Sequence, residues 1–140
     1  MRNTLFAAMI LAAALAAGQA RADEYTARLT GTAEVPSVTT AGTGAAKVSL
    51  DPKTKKLEWS ITHSKLSGPP TMAHFHGPAG AGANAPPVIT IAPPLDGLIS
   101  GSATLTDAQI ADLKAGSWYI NIHTAQNPKG EIRGQVVHVH

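Results

Sequence analysis

Period-two alternation of apolar and polar residues, in runs too short for anything but strands, constrains this chain most. "EYTARLTG", "GAAKVSLD", "KLEWSITHSKL", "PVITIAPP", "GLISGSATL", "SWYINIH" and "GEIRGQVVHVH" each alternate or are rich in β-branched residues, and Gly, Pro, Asn or Asp punctuate the gaps. Side chains on a strand point alternately to opposite faces, so such runs bury one face each and need a second layer to cover it. Seven to eight short strands at this spacing predict an all-β fold, an antiparallel sandwich or barrel. One segment departs from the pattern. In "LTDAQIADLKAG" Thr106 and Gln109 have the spacing of a capping box, Ile110 and Leu113 share a helical face, and Gly116 supplies a stop. One short helix is expected there, packed over an end of the sandwich.

The first 22 residues stand apart from this pattern. "MRNTLFAAMILAAALAAGQARA" has a cationic start at Arg2, an apolar run from Leu5 to Ala17 and an Ala20-Arg21-Ala22 ending. That layout predicts a signal peptide over 1–22, cleaved after Ala22, and a single domain over 23–140. The apolar run is shorter than the roughly 20 residues that span a bilayer, and no later segment is longer, so no membrane span is expected in the mature chain. A periplasmic or secreted location follows from the leader. Loss of Arg2 and Arg21 leaves 9 basic against 9 acidic residues, which removes the charge argument for nucleic acid. Cysteine is absent, so neither disulfides nor thiolate ligands are available, and any metal must be held by His, Asp, Glu, Met or backbone.

Parity then sorts the histidines. In "MAHFH" the residues Met72, His74 and His76 share one strand face and Ala73 and Phe75 the other. Phe75 belongs in the core, which sends both histidines to the opposite face. In "SWYINIH" Trp118, Ile120 and Ile122 point inward, leaving Tyr119, Asn121 and His123 on the other side. If the two strands are neighbours, His74, His76 and His123 converge. Alternate residues on a strand are roughly 6.5–7 Å apart, so both rings of an H-x-H can reach one ion at about 2 Å from each nitrogen. A third imidazole gives a three-nitrogen set with one open position. Copper and zinc both accept imidazole, and the sulfur of Met72 would favour copper if it approached. The competing reading is an ordinary polar strand face, with Met72 a packing residue.

The remaining polar residues take lesser roles. Tyr119, Asn121 and Glu131 are placed to orient the imidazoles through hydrogen bonds. His63 continues the face of Leu57, Trp59 and Ile61 and reads as a rim histidine satisfied by one hydrogen bond. His138 and His140 form a second H-x-H at the C-terminus, which would add ligands, make a separate weak site or decorate an edge strand. Asp51, Asp96, Asp107 and Asp112 sit in turn or helix-start contexts. There is no G-x-S-x-G elbow, and the Gly-rich loop over 77–87 lacks the Lys-Ser/Thr of a phosphate loop.

Taken as a set, "EYTARLTGTAEVP", "AHFHGPAG" and "WYINIHTAQNPKGEIRGQV" resemble the CHRD domain, a module first named from repeats in chordin and also found singly in exported bacterial proteins. The resemblance covers Tyr25 to Val136. It implies an extracytoplasmic, immunoglobulin-like β-sandwich, and it places the family's histidine positions at His74, His76 and His123. The family's "GEIRG" segment falls on residues 130–134, where Glu131 and Arg133 share a face and would brace the site or pair with each other. A looser likeness joins the H-x-H strand to the copper-ligand strand of copper/zinc superoxide dismutases.

Three functions are therefore expected in order. The first is an exported protein that holds a metal ion, copper before zinc, for copper handling or redox chemistry, with an envelope protein as its partner. The second is a metal-free extracellular interaction module. The third is a superoxide dismutase-like copper enzyme, in which Arg133 or Lys129 would steer an anion. The first requires ring nitrogens within roughly 3–4 Å of one another, whereas imidazoles splayed by more than about 8 Å would favour the second.

Overall fold

The computed structural model describes residues 21–140. The expected signal peptide lies outside the described residues except for Arg21 and Ala22. Nine strands and one helix follow in chain order: β1 (Asp23–Thr30), β2 (Thr43–Leu50), β3 (Lys56–Ser64), β4 (Pro70–His76), β5 (Pro87–Thr90), β6 (Ile99–Thr104), α1 (Asp107–Lys114), β7 (Tyr119–Thr124), β8 (Ile132–Gln135) and β9 (Val137–His138). All pairings are antiparallel. The strand order is β5-β4-β7-β8-β1-β2-β3-β6, with β9 pairing to β1. The expected class, all-β with one short helix, is the class found.

The sheet doubles over on itself. Its two halves, β5-β4-β7-β8 and β1-β2-β3-β6, are joined thinly: Thr30 pairs with Arg133, and Tyr25 and Thr26 pair with His138 and Val137. Alternate residues of each half fill the space between them. Tyr25, Ala27, Leu29, Val48, Leu50, Leu57, Trp59 and Ile61 come from one side, and Ala73, Phe75, Trp118, Ile120, Ile122 and Ile132 from the other. Trp59 meets Phe75 edge-on at 5.1 Å between ring centroids, which stitches β3 to β4 across the core. Burying one such aromatic ring stabilises the fold by about 2–3 kcal/mol.

The C-terminal segment differs from the single strand that the alternation predicts. Val136 is fully buried and its N–H donates to the Trp118 carbonyl, so β8 runs beside β7 up to this point. Beyond Val136 the chain changes partner, and β9 pairs with β1 instead. That exchange separates β8 from β9 and raises the strand count to nine. The close approach of β8 to β1 requires Gly134, where a Cβ would stand 2.2 Å from the Arg28 carbonyl oxygen.

The helix forms as its end signals dictate. Thr106 accepts from the Gln109 amide while the Gln109 side chain accepts from the Thr106 amide, completing the capping box. Leu113 is buried, Ile110 is half-buried against the core, and Gly116 leaves the helix at φ +74°. His63 donates a ring N–H to the Leu95 carbonyl at 2.8 Å, the satisfied rim position expected of it.

Candidate metal centre

The register of β4, β7 and β8 lays the polar residues out in rows. His74 lies opposite Asn121, which lies opposite Arg133; His76 lies opposite Tyr119, which lies opposite Gln135; Met72 lies opposite His123. The parity argument is thus realised residue by residue, with Ala73, Phe75, Ile120 and Ile122 on the core side. The outer face, however, is not open to water. His74, His76 and His123 are 8 %, 8 % and 7 % exposed, and Tyr119, Asn121, Glu131 and Arg133 are also buried. Two loops cover them. The Ala85 carbonyl of the 77–87 loop accepts from His76 and from the Tyr119 hydroxyl, and Asn84 donates to the Val35 carbonyl, tying that loop to the one after β1.

The three imidazoles converge, one pair inside the expected 3–4 Å and the set as a whole within 4.8 Å, far short of a splayed arrangement. Each offers one ring nitrogen, and the three nitrogens lie within 4.8 Å of one another. His74 Nδ1 is 3.3 Å from His123 Nε2. The hydrogen-bond partners settle the tautomers. His76 Nδ1 faces the Ala85 carbonyl at 2.8 Å, and His123 Nδ1 faces the Pro128 carbonyl at 2.7 Å. A carbonyl oxygen only accepts, so each Nδ1 must donate and each neutral ring keeps its lone pair on Nε2. Those two Nε2 atoms point inward, onto the same Asn121 Oδ1, at 2.9 and 3.1 Å. Protonation is not an easy escape. Burial, followed by the charges of His123 and His76, pushes the His74 pKa down, and burial outweighs two hydrogen bonds in lowering that of His76. Electron pairs gathered in this way, with backbone carbonyls fixing the far side of two rings, suit a metal ion.

The other sequence candidates separate. Tyr119 stacks flat on His76, with centroids 4.7 Å apart, and the Arg133 guanidinium lies 3.5 Å over the Tyr119 ring. Arg133 Nη1 donates to Asn84 Oδ1, and Nη2 to the Gly80 and Ala83 carbonyls and Gln135 Oε1. Arg133 therefore braces the covering loop. It forms no ion pair with Glu131, since the ion pairs among the described residues are Lys55–Asp107 and Lys56–Glu58. Glu131 does not orient an imidazole either. Its carboxylate accepts from the Ser67 amide and hydroxyl, Thr40, Thr124 and Asn127. Burial alone would raise its pKa, but these donors outweigh burial and hold it to about 2. Its contribution is to lock the turn that follows His123. Met72 stands on the site face but is 46 % exposed. His138 and His140 lie exposed at the β9 edge, His138 packed edge-on against Tyr25 at 5.1 Å, and neither belongs to the cluster.

One residue of the site escaped the sequence reading. Glu34, in the turn after β1, is 7 % exposed, and burial raises its pKa to about 7 against the opposing charge of Arg133 and a hydrogen bond from the Asn121 side chain. Its Oε1 has no hydrogen-bond partner. A Cβ on Gly130, which has φ +125°, would lie 2.7 Å from both Asn121 Nδ2 and Glu34 Oε1. The glycine therefore makes the room in which acid and amide meet. An isolated acid in "TAEVP" carries no periodicity, and its distance in sequence from the histidines gave no signal.

Comparison with known proteins returned one family. The family described as the CHRD domain matches residues 25–136, the same span over which the motifs resemble it. No curated protein and no solved structure matches the chain.

Proposed function

We propose that this chain, which belongs to the CHRD domain family, is an exported metal-binding protein that holds copper at His74, His76 and His123 and serves copper handling or redox chemistry. One observation carries the reading: three buried ring nitrogens converge within 4.8 Å while two of the rings are pinned at their far nitrogen by backbone carbonyls. A metal-free interaction module would have no need to gather lone pairs in this way, and splayed imidazoles were its expected signature. A three-histidine cluster lends itself to either zinc or copper, and the stability order of divalent ions places copper first for such nitrogen donors. Periplasmic or secreted residence, the location the leader implies, supports copper further because thiol competitors are scarce there. An envelope protein that delivers or receives the ion is the partner class this reading calls for.

Each part of the chain has a defined task. The H-x-H strand presents two rings, β7 presents the third, and Ala85 and Pro128 hold the tautomers that leave Nε2 free. Tyr119 and Arg133 keep the 77–87 loop over the cluster and exclude bulk water. Bound copper would supply a one-electron redox couple. The dismutase-like reading gains nothing from Arg133, which is 1 % exposed and has its guanidinium committed to the loop.

Calorimetric titration tests the proposal. The purified protein is expected to bind one copper(II) per chain with zinc(II) weaker, and His123→Ala is expected to lower copper affinity by at least a hundredfold. Absence of tight stoichiometric binding, or an unchanged His123→Ala titration, rejects it.

A further inference from the structure

We infer that the side-chain oxygen of Asn121 is the fourth donor of the metal site, so that the set is three nitrogens and one amide oxygen rather than three nitrogens and an open position. This inference rests on the three-histidine reading and adds to it. Asn121 Oδ1 lies 2.9 Å from His76 Nε2 and 3.1 Å from His123 Nε2, and His123 Nε2 lies 3.3 Å from His74 Nδ1. Two donors of a tetrahedral ion with bonds of about 2.0 Å stand about 3.3 Å apart, close to all three separations. These contacts are not good hydrogen bonds in the neutral site. His76 and His123 each spend their ring proton on a backbone carbonyl, so an amide oxygen faces two nitrogen lone pairs across hydrogen-bond distance. Acceptor against acceptor is repulsive in a buried space, and a cation between them turns repulsion into coordination.

The amide is held in this orientation from behind. Its nitrogen end and the Glu34 carboxyl oxygens border the same small space, the one left by Gly130. With Glu34 ionised, rotating the amide by half a turn would set its oxygen against a carboxylate. Glu34 is therefore the positioning residue for this ligand, a carboxyl group behind a donor in the way outer partners commonly orient metal ligands. The other nearby side chains are less suited. The Tyr119 hydroxyl is engaged with the backbone of Ala85, and Met72 is half exposed.

Copper(II) alone is the probe, and two measurements decide. Protein labelled with carbon-13 at the asparagine side-chain carbonyl is loaded with one equivalent and read by electron-nuclear double resonance. A carbon-13 coupling is expected from Asn121, since the amides of Asn84 and Asn127 are engaged with Arg133 and Glu131. Competition titration of Asn121→Leu is expected to show affinity lowered about ten- to a hundredfold, with the three-nitrogen splitting retained. Three-nitrogen binding without carbon-13 coupling, or a coupling-free site whose Asn121→Leu affinity is within twofold of the parent, overturns the inference and leaves the three-histidine site standing. A parent protein that binds no copper overturns both.

Discussion

The two faces of β4 and β7 are both closed to water, but by different means. On the inner face Phe75, Ile120 and Ile122 meet the opposite half-sheet, and shape alone satisfies them, while the Trp59 and Trp118 indole N–H groups lie buried there without an acceptor. On the outer face His74, His76, Asn121, His123 and Arg133 are also buried, under loops, and nearly every polar atom there answers to a named partner. An apolar face needs only volume to be filled, whereas a buried polar face needs a partner for each donor and acceptor. The consequence is a division of labour: the inner face supplies stability, and the outer face spends some of it to hold lone pairs where water cannot reach them. Glu34 Oε1 and the three convergent imidazoles are where that cost shows.

The contrast can be broken from either side. The largest effect is expected at the inner face, where Phe75→Ala leaves a cavity between Trp59 and Trp118 and should lower unfolding free energy by about 4 kcal/mol in a urea titration. Glu131→Gln comes next. It removes the charge that gathers donors from Thr40, Ser67, Thr124 and Asn127 and sets an amide N–H against some of them, for an expected loss of about 3 kcal/mol. Its pH signature is specific. Because the folded pKa is near 2 and the ordinary value is 4.5, the parent's stabilisation by this group is present above pH 4.5 and is lost as pH falls toward 2. The Gln variant should therefore lack that acid-side slope.

The smallest effect has the opposite sign. The folded pKa of Glu34 is raised to about 7, so the folded chain binds the proton more tightly than the unfolded one between pH 4.5 and 7. The metal-free protein should lose stability across that window as pH rises, with no penalty below it. Glu34→Gln removes the ionisation and should gain about 1–2 kcal/mol at pH 8 and nothing at pH 4. Equal stability of the variant and parent at pH 8 would show that Glu34 ionises without cost and that the outer face is wetter than its burial indicates.

Much of the contrast was legible in the chain. Alternation alone assigned Phe75 and Ile120 to one face and His74, His76 and His123 to the other, because a strand gives each residue only two choices. The helix was equally readable, since Thr106, Gln109 and Gly116 act on neighbours within one turn. What stayed hidden depends on contacts without a period. The covering of the outer face is made by loops over 31–42 and 77–87, whose residues follow no repeat, so a face that looked merely polar is in fact buried. Arg133 and Glu131 share a strand face and invite pairing, yet each is claimed by a different loop. The break at Val136 depends on a change of partner from β7 to β1, and an uninterrupted alternation through "GQVVHVH" does not record it.

The alternation that separates the faces also sets which genetic changes this domain can absorb. Substitutions at 72, 74, 76, 119, 121 and 123 retune the site while the core residues between them stay where they are. Adding or deleting a single codon within β4 is a different event, because every side chain beyond it exchanges faces and Phe75 trades places with an imidazole. The spacing of the strand that carries the site is therefore the feature least open to change.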